Sequence, residues 1–100
     1  MIKTSGINVS PKEVRNALES HPDVKVAAVF AVKDDQRSEA VVAAVRPAAD
    51  ADLSTAEVQA HCESRIASYK VPETVHVREE PFPRTDTGKV RTGDLRRDYR

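Results

Sequence analysis

The middle of the chain carries two apolar runs that limit what the whole sequence can fold into. They are VKVAAVFAV, Val24 to Val32, and EAVVAAVRP, Glu39 to Pro47, and both are rich in β-branched residues. The polar segment KDDQRS separates them, so they predict a strand pair joined by a loop. Because their hydrophobicity is nearly continuous rather than alternating, we expect both faces of the sheet to be covered.

Two capping signals predict helices on either side of this strand pair. Ser10 before Pro11, with Glu13 three residues after the cap, starts a short amphipathic helix from Pro11 to Ser20. A second capping box, Ser54 to Glu57, starts a helix in STAEVQAHCESRIASY. The apolar positions of that helix recur every four residues at Val58, Cys62 and Ile66.

The last third of the chain predicts a short strand, a loop and a short helix. The strand is TVHV, Thr74 to Val77, the loop is the proline-broken EEPFPRTDTG, and the helix runs from about Arg91 to Tyr99. The apolar face of that helix, Val90 and Leu95, is thin, so the helix needs docking to persist. The order of elements predicts an α+β domain, in which helices cover a three-stranded sheet with a short N-terminal hairpin.

Length and composition exclude several classes of protein. The 100 residues form one domain, which is too small to house a full nucleotide pocket, a substrate pocket and a metal site together, so catalysis would need another domain. Sixteen basic and sixteen acidic side chains remove the overall attraction on which nucleic-acid binding usually relies. The single Cys62 excludes an internal disulfide, and no run predicts a membrane span or a signal peptide, so we expect a cytoplasmic protein.

Two loops are candidates for chemistry, and each has an ordinary explanation. The turn PRTDTGK resembles a phosphate-binding loop, but Pro83 replaces its first glycine and Val90 its magnesium-binding hydroxyl residue. Lys89 is therefore either a solvated loop charge or a cation delivered to a reacting centre. Ser5 and Gly6 form a polar bend that is either a plain turn or a place of close ligand approach.

The remaining reactive side chains predict no site. No zinc-binding spacing joins His21, His61, Cys62 and His76, so no metal site is expected. The basic tail KVRTGDLRRDYR has only one aromatic residue for base stacking, Tyr99, and this argues against nucleic acid as a partner.

The two ends of the chain resemble the C-terminal domain of the adenylate-forming enzymes, the group that contains acyl-CoA synthetases and luciferase. The matching segments are MIKTSGINVSPKEV and YKVPETVHVREEPFPRTDTGKVRTGDLR, in the order in which the family has them. The Asn-Val-Ser-Pro form of the first segment is similar to that of fatty and other organic acid CoA ligases. The resemblance covers residues 1–100 and implies a mobile C-terminal domain whose large N-terminal partner domain lies outside this chain.

The resemblance also implies roles for single residues. Lys89 matches the lysine that meets the acid carboxylate and the α-phosphate of ATP, and Thr87 and Gly88 present it in the turn near the adenylate. Ser5, Gly6, Ile7 and Asn8 match the bend that lines the pantetheine channel after the domain swings. Lys70 matches a position near the CoA phosphates. ATP with Mg²⁺, bound mainly by the large domain, and CoA are the implied cofactors and co-substrates, and a carboxylic acid is the implied substrate.

Several features depart from the family pattern or leave an alternative open. Ser38 stands where a glycine is usual, and Val71 and Glu73 stand where some CoA ligases carry basic residues. The spacing from Pro83 to Lys89 fits that of relatives acetylated at this lysine, so a lysine acetyltransferase is a possible partner. The alternative function is a free-standing module that docks on a separately encoded adenylating domain or on a carrier protein. The resemblance predicts that the domain alone is inactive.

Overall fold

The computed structural model describes residues 2–4, 6–36, 38–49 and 51–98 of the chain. Its strands are Ile2–Thr4 (β1), Ile7–Val9 (β2), Val24–Asp34 (β3), Ser38–Pro47 (β4) and Thr74–Val77 (β5). Its helices are Pro11–Glu19 (α1), Thr55–Glu63 (α2), Thr92–Arg97 (α3) and a short 3₁₀ helix at Ser68–Lys70.

The two apolar runs form the long antiparallel ladder between β3 and β4, as the sequence predicts. The other edge of β4 is shared by two strands: β1 joins it at Thr4 and Ser38, and β5 runs parallel to it from Val42 to Val45. The N-terminal hairpin of β1 and β2 therefore extends the three expected strands into one sheet of five. The α+β class predicted from the sequence is confirmed.

The sheet is covered on both faces, which confirms the expectation drawn from the continuous apolar runs. On one face, α1 and α2 pack on the sheet and form what we call the α1/α2 core; its members include Val14, Leu18, Ala27, Val29, Val41, Val58 and Cys62. On the other face lies a smaller cluster, the α3 core, formed by Ala28, Phe30, Val42, Ala44, Phe82 and Leu95. Alternate residues of β3 and β4 thus enter opposite cores, because side chains alternate along a strand.

A register shift in β3 changes which face its first residues meet. The shift lies between Val24 and Val26, so Lys25 is an extra residue in the ladder. Val24 belongs to the α1/α2 core and Val26 packs against the α3 core, although they are two residues apart. An undisturbed strand would place both on one face.

Helix starts follow the sequence closely, whereas two helix ends do not. Ser10 Oγ accepts a hydrogen bond from Glu13 N at 3.4 Å, and Ser54 Oγ accepts one from Glu57 N at 3.2 Å. The predicted continuation of α2 to Ile66 is wrong: the helix ends at Glu63, and Ile66 packs against the α1/α2 core from the following bend. The last helix is also shorter than expected, and Tyr99 lies outside the described residues.

Within the described ranges, no helix is long and apolar enough to cross a membrane.

Candidate functional site

Lys89 is carried by a small hairpin whose backbone is closed by hydrogen bonds. Gly88 N donates to Thr85 O at 2.9 Å, and Thr85 N donates to Lys89 O at 2.8 Å. Gly88 has a φ of +88°, so the loop of Asp86, Thr87 and Gly88 has the pattern of a three-residue turn that ends in a left-handed glycine. The sequence PRTDTGK therefore forms a defined turn that fixes the backbone of Lys89.

Side chains in the same hairpin add to its order. Lys89 N donates to Thr85 Oγ1 at 3.2 Å, and the hydroxyls of Thr85 and Thr87 lie 3.0 Å apart. Arg84 Nη1 donates to Gly88 O at 2.8 Å, and the backbones of Arg84 and Val90 form an isolated antiparallel bridge. The threonines and the arginine are thus occupied within the turn, whereas the side chains of Asp86 and Lys89 are exposed to solvent.

The Lys89 ammonium has no counter-ion among the residues that the structure describes. Lys89 is exposed, and Nζ makes no ion pair or hydrogen bond there. An ammonium on a flexible stem that remains unneutralised is able to meet an anion brought from outside the domain.

The Lys89 turn faces helix α1 across the outer edge of β3. A groove of about 830 Å³ lies between them, and it is lined by residues that include Lys12, Arg15, Arg84 and Lys89. Glu19 also lines it, but its Oε2 accepts a hydrogen bond from Ala27 N at 3.0 Å on the strand edge. Although the chain is neutral overall, this groove concentrates cations around Lys89.

The N-terminal bend lies in a different part of the molecule. Gly6 has a φ of +80°, and Ile7 and Asn8 are exposed on β2, while Ser5 lies outside the described residues. A Cβ built on Gly6 would meet nothing within 4 Å, so its glycine is required by backbone conformation rather than by packing inside this domain. Ile2 and Val9 of the N-terminal hairpin are buried in the α1/α2 core. The segment that carries Lys89 instead packs on the α3 core through Phe82 and Val90.

Lys70 is already engaged by a carboxylate. Its Nζ lies 2.8 Å from Glu13 Oε1 of α1, and this hydrogen bond is the main cause that raises the pKa of Lys70. The ammonium also lies 5.7 Å from the centroid of the Tyr69 ring. A contact between Lys70 and a CoA phosphate would therefore have to replace its contact with Glu13.

The other reactive side chains lie apart from the two loops. Cys62 is buried, and burial, with a smaller contribution from Glu63, raises the pKa of its thiol to about 11. Burial lowers the pKa of the half-buried His76. A buried thiol with a raised pKa is a weak nucleophile, so we assign Cys62 to packing.

The fold also assembles a group that sequence spacing did not indicate. Donor atoms of His21, Asp23 and Glu57 lie within 4.8 Å of one another between the end of α1 and the start of α2. His21 Nδ1, however, accepts a hydrogen bond from Asp23 N at 3.0 Å. A neutral imidazole has one free lone pair, and this hydrogen bond uses it, so we assign no metal to these residues.

Comparison with known families identifies the family to which the chain belongs. Residues 13–89 match the model of the family described as AMP-binding enzyme C-terminal domain. This chain belongs to that family. The match runs from the capping glutamate of α1 to Lys89, and it confirms the resemblance drawn from the two end segments.

Individual relatives cover nearly all of the chain. It is 41% identical over 96 residues to an indoleacetate–CoA ligase of Aromatoleum aromaticum, covering 96% of this chain and 19% of the relative. The crystal structure of an acyl-CoA synthetase of Brucella canis matches with a TM-score of 0.88 and 31% identity, over 96% of this chain and 18% of that one. The amide bond synthetase McbA of Marinactinospora thermotolerans matches with a TM-score of 0.91 and 33% identity, over 98% and 20%.

The chain spans at most a fifth of the length of these relatives. The AMP-binding enzyme C-terminal domain is thus a small part of enzymes whose other residues supply most of the polypeptide.

Proposed function

We propose that this chain is the C-terminal domain of an ATP-dependent acid–CoA ligase and that Lys89 is its adenylation cation. The observation that carries the proposal is the exposed Lys89 ammonium, held on a closed hairpin and without a counter-ion among the described residues. Membership of the AMP-binding enzyme C-terminal domain family supports it. The large N-terminal adenylation domain is the expected partner, and the acid, ATP and Mg²⁺ would bind mainly there.

The chemistry of adenylation explains why a cation is needed. A carboxylate oxygen of the acid attacks the α-phosphorus of ATP, a new P–O bond forms, and pyrophosphate leaves with the electrons of the broken P–O bond. This step brings two anions together, so a preorganised ammonium stabilises the charge spread over the transition state. Lysine suits this role because its compact charge sits on a long stem that can reach a pocket in another domain.

The second step uses the other loop. The sulfur of CoA attacks the acyl carbonyl, the C–O bond to the phosphate breaks, and AMP leaves. We assign the bend at Gly6, Ile7 and Asn8, together with Ser5, to the wall of the pantetheine channel. The two loops belong to opposite cores, so the domain would turn between the steps to present first one loop and then the other.

The acceptor in this second step depends on the large domain. Among proteins of the same fold are acyl-CoA synthetases and an amide bond synthetase, whose name implies a different acceptor for the activated acid. The Asn-Val-Ser-Pro segment favours a CoA ligase. Lys70, paired with Glu13, gives at most an exchangeable contact with the CoA phosphates.

Substitution of Lys89 by alanine in the complete ligase tests the proposal. ATP–pyrophosphate exchange should fall roughly 10²- to 10³-fold, because one preorganised electrostatic partner is lost. Transfer of preformed acyl adenylate to CoA should be nearly unchanged. Lys25→Ala, which removes an exposed cation of β3 outside the groove, is the matched control and should affect neither step.

Equal losses in both half-reactions of Lys89→Ala would contradict the proposed role and point to damage to folding or domain motion. Full retention of exchange would contradict it as well.

Acetylation of Lys89 is a proposed means of control. The ammonium is exposed on a protruding turn, so a lysine acetyltransferase could reach it, and an acetyl group would remove the charge that adenylation uses. Intact adenylation in fully Lys89-acetylated ligase would contradict this part of the proposal.

A further inference from the structure

One arginine holds both ends of the segment that carries Lys89. Arg78 directly follows β5, and its backbone N donates to Val45 O at 2.9 Å, so its backbone is fixed on the central strand of the sheet. Only 12% of its side chain is exposed. The residues that directly follow Arg78 are exposed, but its own guanidinium is nearly buried, and a buried charge requires specific partners.

Those partners lie at the start of the segment and at its end. Arg78 Nη2 donates to Pro81 O at 3.3 Å, and its Cζ lies 5.7 Å from the centroid of the Phe82 ring. Arg78 Nη1 donates to Asp98 Oδ2 at 3.5 Å, at the C-terminal cap of α3. Glu80 lies farther from the guanidinium, with 3.7 Å between its Oε2 and Nε.

The segment between these two ends depends on few other anchors. Phe82 and Leu95 enter the α3 core and Val90 packs against it, while the hydrogen bonds around the turn, such as Arg91 N to Pro83 O at 2.7 Å, lie within the segment itself. The hairpin is therefore internally ordered, but its orientation relative to the sheet depends on the α3 core and on Arg78.

We propose that Arg78 is a positioning residue for Lys89, one that sets the direction in which the hairpin presents the ammonium. The planar guanidinium carries five donors in a fixed fork, so it can reach Pro81 O and Asp98 Oδ2 while it lies against Phe82. The inference rests on the proposed function of Lys89. It concerns Arg78 alone and assigns it no contact with substrate.

A positioning role and a merely structural role predict different kinetics. If Arg78 aims the lysine, its loss misplaces the ammonium and slows adenylation, while acyl transfer to CoA, which uses the other loop, continues. If Arg78 only stabilises the domain, its loss lowers both half-reactions together or neither.

The test compares Arg78→Met, Arg78→Lys and Lys89→Ala in the complete ligase. Arg78→Met keeps the length of the apolar stem and should lower ATP–pyrophosphate exchange by roughly 10- to 100-fold, since misplacement by about 1 Å can cost about 10²-fold. Transfer from preformed acyl adenylate should stay within about twofold of the unmodified ligase. Arg78→Lys keeps the positive charge but lacks the planar guanidinium donors, so it should retain only part of the rate of ATP–pyrophosphate exchange.

Two further variants make the test sharper. Asp98→Asn weakens the contact between Asp98 and Arg78 without removing the guanidinium. It should lower ATP–pyrophosphate exchange by a smaller factor than Arg78→Met does. Its effect should not add fully to that of Arg78→Met, because the two residues share one contact. Arg65→Met removes a guanidinium that contacts His61 instead, and it should leave exchange unchanged.

Hydrogen exchange in the same ligase gives a readout besides activity. Arg78→Met should speed hydrogen exchange at the amides of Leu95 and Asp98, because Arg78 contacts Asp98 at the end of α3, and should leave the amides of β3 and β4 unchanged. Unchanged hydrogen exchange at these α3 amides, or ATP–pyrophosphate exchange within twofold of the unmodified ligase, would overturn the role of Arg78. If Lys89→Ala also retained activity, the proposed function would fall with it; if Lys89→Ala alone lost activity, only the role of Arg78 would fall.

Discussion

Ser38 has an unusual backbone conformation at the start of β4. Ser38 starts β4 with a φ of +72°, and among the described residues it is the one non-glycine in the left-handed region. It pairs with Thr4 on one side and with Asp34 on the other. The family resemblance expects a glycine there, and the structure gives the reason: a Cβ is strained in this conformation.

Ser38→Gly should therefore stabilise the domain. At mid-range, the relief of left-handed strain, about 1–2 kcal/mol, exceeds the added entropy of the unfolded chain, about 0.4–1 kcal/mol, so the net gain should be on the order of 1 kcal/mol. Urea unfolding with an unchanged slope would measure it. Ser38→Ala keeps the strain and serves as control; an equal gain in both variants would contradict the explanation.

The partly buried imidazoles of His61 and His76 make stability depend on pH. Burial lowers the pKa of His76, and burial, then Arg65 and His21, lower that of His61. At pH values between the lowered folded pKa values and the ordinary histidine pKa of about 6.5, the folded state thus binds fewer protons than the unfolded state. By linkage, the free energy of unfolding should fall as pH drops from about 7 through about 6.5 and should stop falling below the folded pKa values.

His76→Gln should flatten this pH dependence, because it removes one of the two imidazoles whose pKa is lowered in the folded state. Urea titrations at a series of pH values would measure the difference in slope between the variant and the unmodified chain. A slope that is unchanged would show that His76 binds protons equally in both states.

At the scale of elements, the shortest α-helix of the described residues, α3, depends on a single buried side chain. The six residues of α3 are too few to persist alone, and Leu95 is fully buried in the α3 core. The ion pairs from Asp94 to Arg91 and Arg97 are exposed and contribute little. Docking of Leu95 therefore holds the C-terminal end of the Lys89 segment.

Leu95→Ala should lower the free energy of unfolding by about 2–5 kcal/mol. The looser chain around Lys89 should then be cleaved faster by trypsin. Ile7→Ala, at a side chain that is 43% exposed, is the contrasting variant and should change stability little. Equal losses in the two variants would contradict the packing account. Unfolding curves and the cleavage rate after Lys89 measure the two effects.

Element boundaries were predictable where they depend on local hydrogen bonds. The starts of α1 and α2 follow from their serine caps, which act within three residues. The end of α2 was not predictable from periodicity, since Ile66 keeps the helical spacing but packs from a bend. Ser64 N is shared between Ala60 O and His61 O, which tightens the last turn before the chain leaves the helix.

At the scale of the whole molecule, the two candidate loops are mechanically separate. The hairpin that carries Gly6 is rooted in the α1/α2 core, and the turn that carries Lys89 is rooted in the α3 core. The β3–β4 ladder lies between them. A change at one loop should therefore leave the other intact.

Gly6→Asn tests this separation from the side opposite to Lys89→Ala. Asparagine tolerates the left-handed φ of Gly6, and a Cβ there meets nothing in the domain, so folding should change little. If this bend lines the pantetheine channel, thioester formation should fall while ATP–pyrophosphate exchange is spared. Gly6→Ala, with less bulk, should lose less of the thioester formation, although its Cβ is strained at this φ and should lower stability. Loss of ATP–pyrophosphate exchange in Gly6→Asn would contradict the separation.

The sequence alone determined the strands, the starts of α1 and α2, the two-sided burial of the sheet and the turn that precedes Lys89. These depend on caps, turn glycines and apolar patterns that act over a few residues. Only the tertiary structure decided that β5 runs parallel to β4, that Lys70 pairs with Glu13, and that Arg78 joins Pro81 to Asp98. Such contacts connect positions distant in the chain, and no local periodicity encodes them, because they form when packed elements bring those side chains together.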